Sequence, residues 1–262
     1  MQIPVIPHRD GVFEEVRYAH FMQAIGKDNP IPMKILSFGA CNYSCPWCKR
    51  NGYRKTKGVI EGSVWMELRD IAKKARQHMD RGYAIRFSGG DPCCFPNITK
   101  TLAKAIKKAG GMVSIAHNGS SPEFVEKLIE YTDFWAVDLK SIKPERFRIL
   151  TGTGRKSEKY LENTLQSIQL ISWYDIPLEV RTTVFGDTEG EELERIAEFL
   201  LSCENENLFW TLRLYVGKAM EKFKPPVPED IMVKAKRLKM KYPQLKIGIR
   251  SKWDTNKGLI FV

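Results

Sequence analysis

Residues 34–48 read Lys-Ile-Leu-Ser-Phe-Gly-Ala-Cys-Asn-Tyr-Ser-Cys-Pro-Trp-Cys, a short apolar run followed at once by three cysteines. The first part, Lys34 to Phe38, is rich in branched and aromatic side chains and predicts a buried β-strand. Cys41, Cys45 and Cys48 follow with three and then two residues between them. In parallel α/β barrels the chemistry gathers on loops after the strands, so this segment predicts both a barrel strand and a functional loop.

The spacing of the three cysteines favours one kind of metal site. Three thiolates on one tight loop can bind three irons of a four-iron four-sulfur (4Fe–4S) cluster and leave the fourth iron without a protein ligand. The alternatives are a structural zinc site and three buried cysteines. Zinc usually takes a fourth protein ligand, and no histidine shows a paired spacing with the triplet; the histidines are His8, His20, His78 and His117.

Periodicity along the chain predicts an α/β fold of repeated βα units around a parallel sheet. Six strands are expected, at Lys34–Phe38, Tyr83–Phe87, Met112–Ala116, Phe134–Leu139, Leu178–Val184 and Leu208–Tyr215. Helices are expected between them, near Val64–Arg81, Ile98–Ala109, Pro122–Tyr131, Glu158–Ser172 and Glu189–Leu201. A last helix, Pro228–Tyr242, precedes two short strands, Leu245–Ile249 and Leu259–Val262.

The 262 residues suit one domain of barrel size. We expect residues 1–32 to be a leader that packs on the barrel, residues 33–217 to form the barrel, and residues 218–262 to complete the domain. No secretory signal and no apolar run of about 20 residues is found, which predicts a soluble cytoplasmic protein without a membrane partner. Six cysteines in such a chain are expected to bind metal or act in catalysis rather than form disulfides.

The formal net charge of +11 allows two interpretations. A cationic surface attracts nucleic acid or an acidic partner, and it can equally be the solvated lysine face of a soluble protein. The excess is concentrated between Lys218 and Lys257. No recognised nucleic-acid module accompanies it, which favours the solvated face and leaves nucleic acid as a secondary partner.

Taken together, the segments resemble the radical S-adenosylmethionine (SAM) superfamily, whose hallmark is such a triplet after the first strand of a partial (βα)6, TIM-like barrel. The resemblance covers roughly residues 34–215 and implies a 4Fe–4S cluster and SAM as cofactors. Ser88-Gly89-Gly90-Asp91-Pro92, after the second strand, is similar to the family's Gly-Gly-Glu-Pro segment, which binds the methionine amino group. Here an aspartate replaces the glutamate, and alone the segment would be an ordinary turn.

Further cofactor contacts are implied by the same resemblance. Trp47 occupies the position that lies beside the adenine, although it could also be a core tryptophan. Asn118 would face the ribose, Lys140 would pair with the methionine carboxylate, and Asp138 would order that end of the cofactor. Arg181 is in register with an arginine used near the cofactor, and its alternative is a structural ion pair.

Within the superfamily the chain is most similar to the glycyl-radical-enzyme activases of the pyruvate formate-lyase activase type. Asp138-Leu139-Lys140 and Leu150-Thr151-Gly152 carry this likeness. The chain departs from these activases in three places: it has no Gly-Pro-Gly-x-Arg segment before the first strand, Tyr215–Lys218 stands where they have a barrel-end histidine, and Ala116 replaces a cation-binding aspartate. These departures leave the cofactor class in place and weaken the identification of the target.

Cys93 and Cys94 directly follow Asp91-Pro92, which predicts that at least one thiol lies near the cofactor. Three uses compete: a hydrogen-atom donor to a substrate radical, as in a peptide epimerase; a ligand to a second cluster; and small packing residues. Cys203 lies far along the chain, which disfavours a second cluster.

Three hypotheses follow. The first is an activase-like oxidoreductase that cleaves SAM to a 5′-deoxyadenosyl radical and abstracts hydrogen from a protein or peptide, with an external electron donor such as flavodoxin or ferredoxin. The second keeps the cofactors and changes the substrate to a small molecule or RNA. The third is a non-catalytic, zinc-binding module.

Overall fold

The computed structural model describes residues 1–9, 11–50, 52–218, 220–251 and 259–262. The strands are β1 Gln2–Val5, β2 Arg17–Ala19, β3 Ile31–Phe38, β4 Lys55–Thr56, β5 Val59–Ile60, β6 Val64–Glu67, β7 Ala84–Gly89, β8 Val113–His117, β9 Phe134–Asp138, β10 Leu178–Val184, β11 Leu208–Leu214, β12 Ile247–Arg250 and β13 Leu259–Phe261. The helices are α1 Phe21–Ala24, α2 Leu68–Met79, α3 Pro96–Lys108, α4 Pro122–Leu128, α5 Pro144–Thr151, α6 Ser157–Trp173, α7 Gly190–Ser202 and α8 Pro228–Lys241. Short 3-10 turns lie at Pro92–Cys94, Ile129–Tyr131 and Gly154–Lys156.

The central sheet is mostly parallel. In the part of the chain that the structure describes, strands β3, β7, β8, β9, β10, β11 and β12 run parallel in that spatial order. Strand β13 pairs antiparallel with β12, β1 and β2 pair antiparallel with β3, and β6 pairs with β1. The predicted α/β fold with a partial (βα)6 barrel is confirmed, and β12 adds a further parallel strand.

The parallel strands are largely buried on both faces, as β9 shows. Its sequence Phe-Trp-Ala-Val-Asp is apolar at four of five positions and predicts a buried parallel strand. Trp135 and Val137 join the core shared with the outer helices, whereas Phe134 belongs to a separate cluster inside the barrel. Alternation along the strand therefore sends Phe134, Ala136 and Asp138 toward the interior.

A cluster of apolar side chains closes the amino-terminal end of the barrel. Phe21 and Met22 of α1 pack there against the first inward side chains of four strands. These four residues are Met33, Ala84, Phe134 and Phe209. Because this end is filled, the space inside the barrel opens toward the carboxyl ends of the strands.

The predicted helix Val64–Arg81 is wrong over its first turn. Residues Val64–Glu67 form β6, which pairs with β1 from Gln2↔Glu67 to Val5↔Val64. The partner strand lies some sixty residues away in sequence, and its hydrogen bonds override the local helical pattern. Helix α5 was not predicted, although Pro144 at its start and Gly152 with φ +62° at its end are typical helix boundaries.

The chain termini complete the sheet. The amino-terminal residues also contribute Glu14 and Arg17, the first residue of β2, to the lining of the cavity inside the barrel. Lys252 and Lys257 of the late basic region lie outside the described residues. No helix in the described residues combines the length and apolar character needed to cross a bilayer.

Candidate functional site

A cavity of about 580 Å³ lies at the carboxyl ends of the parallel strands. It brings together twelve residues that the sequence singled out, from five separate segments of the chain. These residues are Cys41, Cys45, Trp47, Cys48, Ser88, Gly89, Gly90, Asp91, Asn118, Asp138, Lys140 and Arg181. The volume is within the range of about 300–1,000 Å³ that is usual for small-molecule sites.

The loop that carries the three cysteines is held by the end of α5. Ser44 N donates to Thr151 O at 2.9 Å, and Trp47 Nε1 donates to Leu150 O at 2.9 Å. A Cβ on Gly152 would lie 2.3 Å from Ser44 O, so only glycine permits this approach. The Leu-Thr-Gly segment therefore acts as a clamp on the cysteine loop.

Lys55 fixes the same loop from the other side and was not singled out by the sequence. Its Nζ donates to Cys41 O at 2.6 Å and to Ser44 Oγ at 3.3 Å, and it also bonds Tyr43 O. A half-buried cation beside the loop favours an anionic group on the cysteines. No sequence pattern marks Lys55, because its position on the short strand β4 depends on the fold.

The thiols have surroundings suited to metal binding. Burial raises the pKa of Cys41 well above its usual value and that of Cys45 to about 11, so a metal must displace the protons of these thiols. Tyr43 N and Asn118 Nδ2 point toward Cys41 Sγ at 3.4 and 3.9 Å. Three sulfur donors on one clamped loop, with N–H groups and cations around them, fit a 4Fe–4S cluster.

The Asp91 carboxylate is held in place by its own turn and by the end of β8 with the residue that follows it. Its Oδ1 accepts from Cys93 N at 2.9 Å and lies 2.8 Å from His117 Nδ1, while Oδ2 accepts from Asn118 N at 2.7 Å. A carboxylate offers about four acceptor positions. One therefore remains on Oδ2, so its predicted contact with an ammonium group stays a prediction.

Gly90 lies so close to the cysteine loop that a residue with a side chain would not fit there. A Cβ there would lie 1.9 Å from Ala40 O, which itself accepts from Asp91 N at 2.6 Å. The segment after β7 therefore directly contacts Ala40, the residue before Cys41, and fixes its position.

We expect Gly90→Ala to lower the free energy of unfolding by about 1–3 kcal/mol, as overpacking usually does. The displaced loop should also reduce the iron bound after reconstitution. Urea denaturation and iron analysis measure the two effects. Gly190→Ala is the matched control, because nothing lies within 4 Å of a Cβ at that position. Equal behaviour of the two variants would contradict the close approach.

Asp138, Lys140 and Arg181 form a charged group on the other wall. Asp138 Oδ1 accepts from Arg181 Nε at 2.7 Å, and Oδ2 accepts from Lys140 Nζ at 3.2 Å. Burial alone would raise the pKa of Asp138, but Arg181 and Lys140 hold it well below its usual range. Lys140 Nζ also lies 5.1 Å from the centre of the Trp47 ring. Two cations share one carboxylate here, so a positive charge remains to attract an anionic group.

Cys93 and Cys94 are not among the residues that line the cavity. They belong to the 3-10 turn whose first N–H is capped by Asp91. Cys93 Sγ lies 3.7 Å from Ser120 Oγ, and its sulfur, Asp91 and His117 place their ligand atoms within 4.8 Å of one another. A role for either thiol as hydrogen-atom donor stays a prediction.

A set of charged residues deeper in the same cavity was not predicted from the sequence. They are Arg86, Glu179, Arg213 and Arg250. For Arg86, Glu179 and Arg213 the available signal was a charged residue inside a predicted parallel strand, where both faces are normally apolar. Arg250 lies one residue beyond the predicted strand Leu245–Ile249 and carried no such signal.

Comparison with known proteins agrees with this arrangement. A Methanocaldococcus jannaschii protein classed with the glycyl-radical enzyme activating enzymes is 27% identical over 175 residues, which make up 65% of this chain and 69% of that protein. The 7-carboxy-7-deazaguanine synthase of the same organism is 25% identical over 183 residues, or 66% of this chain and 72% of the synthase. Activase-type and small-molecule enzymes are thus similarly related to the chain.

Solved structures show the same fold. Streptococcus suis SuiB, determined with SAM and with its precursor peptide SuiA, superposes with a TM-score of 0.64 at 14% identity. The superposition covers 84% of this chain but only 50% and 48% of the two SuiB chains. A model of the Radical SAM superfamily matches residues 35–200, which is more than half of the sequence. The chain belongs to the radical SAM superfamily.

Proposed function

We propose that Cys41, Cys45 and Cys48 hold the 4Fe–4S cluster and that the chain removes a hydrogen atom from a substrate in the adjoining cavity. The superfamily uses this cluster together with SAM. When bound, these cofactors supply a 5′-deoxyadenosyl radical that abstracts the hydrogen. The observation that carries the proposal is the single cavity shared by the three cysteines, Trp47 and the Asp138–Lys140–Arg181 group.

The chain's own residues would bind and orient SAM. Lys140, already fixed by Asp138, offers its positive charge to the methionine carboxylate, and Asp91 and the backbone of Gly89 and Gly90 face the amino end. Asn118, whose Nδ2 donates to Asn42 Oδ1 at 2.7 Å, would face the ribose. The apolar cluster at the amino-terminal end closes that end of the barrel to bulk water, and exclusion of water protects a reactive radical.

An activase-like reaction on a protein or peptide is one candidate for the substrate. The 27% identity to the M. jannaschii protein supports it. In this proposal an external donor such as flavodoxin or ferredoxin delivers the electron, and the reaction takes place in the cytoplasm. The three departures from the activase motifs weigh against a specific activase target.

Reaction on a small molecule is the second candidate, and the deep charged layer of the cavity favours it. Arg86 is buried inside the barrel and is only 6% exposed. The 25% identity to the deazaguanine synthase shows that a relative acting on a small molecule is about as similar.

Anaerobic reconstitution tests the proposal. We expect brown protein with about four irons per chain and dithionite-dependent release of 5′-deoxyadenosine from SAM. A structural zinc module would give neither result and would refute the proposal. Transfer of deuterium into deoxyadenosine from labelled protein, peptide, RNA or metabolite pools then identifies the class of substrate.

A further inference from the structure

Below the proposed cofactor residues the cavity continues into a layer of charged side chains on the barrel strands. Arg86 lies on β7 two residues before Ser88, which is about 7 Å deeper along the strand. Its Nε donates to Ser114 Oγ at 2.9 Å, and its guanidinium lies 5.4 Å from the centre of the Phe134 ring. Its Nη2 is buried without a hydrogen-bond partner. Arg86 is therefore a fixed cation with unused donor capacity.

Two more arginines converge on this layer from the neighbouring strands. Arg213 of β11 and Arg250 of β12 are partners in the parallel ladder, and both line the cavity. Arg250 Nε is also buried without a hydrogen-bond partner. Burial, together with the nearby charge of Arg181, lowers the pKa of Arg213 to about 9. Arg213 and Arg250 are half-buried, so positive charge is concentrated where solvent screens it only partly.

Glu179 is the carboxylate that faces these arginines. It is 6% exposed and accepts from Thr211 Oγ1 at 2.8 Å. Burial alone would raise its pKa, but the charges of Arg250, Arg181, Arg86 and Arg213 lower it. Glu179 and Asp138, which pairs with Arg181, are therefore the two carboxylates that act on these four guanidinium groups.

The cavity as a whole is also lined by more cationic than anionic side chains. Among its described lining residues there are eight cations and four carboxylates. The cations are Arg17, Lys49, Arg50, Arg86, Lys140, Arg181, Arg213 and Arg250, and the carboxylates are Glu14, Asp91, Asp138 and Glu179. Three of these carboxylates already have partners: Glu14 pairs with Arg50, Asp138 with Lys140 and Arg181, and Asp91 with the groups described above.

We propose that Arg86, Arg213 and Arg250 bind the anionic end of a small-molecule substrate, either a carboxylate or a phosphate. Buried positive charge in excess is costly, and an anion that enters the layer relieves that cost. Guanidinium groups match the paired oxygens of both anions in a forked geometry. The proposal rests on the proposed function, because it places the substrate of the same reaction: its anionic end binds deep in the barrel, and its reacting end points toward the cofactor residues at the mouth.

Calorimetric titration of the reconstituted protein with SAM, using citrate, inorganic phosphate and uncharged glycerol, tests the proposal. We expect citrate or phosphate to bind and glycerol not to bind, and the tighter anion identifies the chemical end group. Arg86→Met should weaken anion binding by about 10-fold or more, since a hydrogen bond to a charged group contributes about 1.5–3 kcal/mol. Arg237→Met, at an exposed position on α8, is the matched control and should leave binding unchanged.

Glu179→Gln gives a test of opposite sign that misfolding cannot imitate. It removes the negative charge among the arginines and keeps an oxygen that accepts from Thr211. We expect anions to bind about fivefold more tightly to this variant, since a unit charge a few ångströms away is strong in a poorly screened site. Unchanged or weaker binding in Glu179→Gln, or equal binding of glycerol and the anions, would overturn the proposal.

The proposed function and the proposed anion binding can be refuted separately. A hexaglutamate peptide that binds more tightly than citrate and phosphate would overturn the small-molecule substrate in favour of an acidic peptide. Titration of the metal-free protein measures anion binding by the arginines independently of SAM cleavage. Cleavage of SAM without anion binding would reject only the present inference, and anion binding without cleavage would reject only the proposed function.

Discussion

Replacing Cys45 by serine is expected to reduce the iron bound after reconstitution to less than about a tenth of the wild-type content and to abolish SAM cleavage. Cys45 is buried at 8% exposure and is the middle ligand of the proposed cluster. A serine hydroxyl is not the soft thiolate ligand that iron–sulfur clusters take. The loss of one of three ligands on one loop leaves a cluster that the protein cannot retain. Iron and sulfide analysis, with the visible absorption spectrum, measure the change.

Cys203→Ser is the matched control for this experiment. Cys203 follows α7, and its Sγ bonds Phe199 O at 3.4 Å, away from the residues that line the cavity. This variant should keep its iron and its activity. Normal iron content in Cys45→Ser, or an equal loss of iron in Cys203→Ser, would contradict the assignment of the triplet. Circular dichroism of both variants separates loss of the cluster from loss of the fold.

Replacing Asp138 by alanine is expected to lower the free energy of unfolding by about 3 kcal/mol. The change leaves Lys140 and Arg181 with no carboxylate between them, and breaking a buried ion pair from one side costs about 3–5 kcal/mol. The lower end applies because the Asp138 side chain is 25% exposed toward the cavity. Urea denaturation of the protein before reconstitution measures the effect without any contribution from the cofactors.

Glu162→Ala is the control for Asp138→Ala. Glu162 pairs with Lys159 at 3.5 Å on the surface, and both side chains are about 70% exposed. An exposed pair of this kind contributes less than about 1 kcal/mol. Similar losses in the two variants would show that the charged group on the cavity wall has no special role in stability.

The difference in stability between wild type and Asp138→Ala is also expected to depend on pH. The folded-state pKa of Asp138 is below its unfolded value of about 3.9, so the unfolded chain binds the proton more readily. The stability that Asp138 contributes is therefore complete well above pH 4 and is lost as the pH falls through the folded pKa. We expect the difference between wild type and Asp138→Ala to be constant from about pH 5.5 to pH 8 and to shrink below about pH 4. A difference that grows on acidification would contradict the ion-pair assignment.

Much of the barrel could be predicted because its signals are local. The predicted bounds of β10, Leu178–Val184, are those observed, and the other predicted barrel strands are also present with small shifts at their ends. A run of branched and aromatic residues between turns is enough to recognise such a strand. Residues 64–67 could not be predicted in this way, because their conformation depends on pairing with β1, which is distant in sequence.

Some features of the candidate site could likewise be predicted from the sequence, and others could not. The spacing of the cysteines predicted the cysteine loop, and the family resemblance pointed to the Gly-Gly-Asp-Pro segment; the three cysteines, Gly89, Gly90 and Asp91 line one cavity. The sequence did not predict that the Asp91 carboxylate is occupied by His117 and the backbone of Asn118. It also predicted that Cys93 or Cys94 lies near the cofactor; both belong to the turn Pro92–Cys94 beside the cavity, and this stays a prediction.

The amino-acid sequence by itself determined the order of the βα units and the presence of three thiols on one loop, because both are properties of neighbouring residues. Only the tertiary structure decided that Arg86, Glu179, Arg213 and Arg250 meet inside the barrel. These residues come from four separate strands, and nothing in the local sequence links one of them to another. Their common electrostatic effect exists only after the sheet curves and brings the inward faces of the strands together.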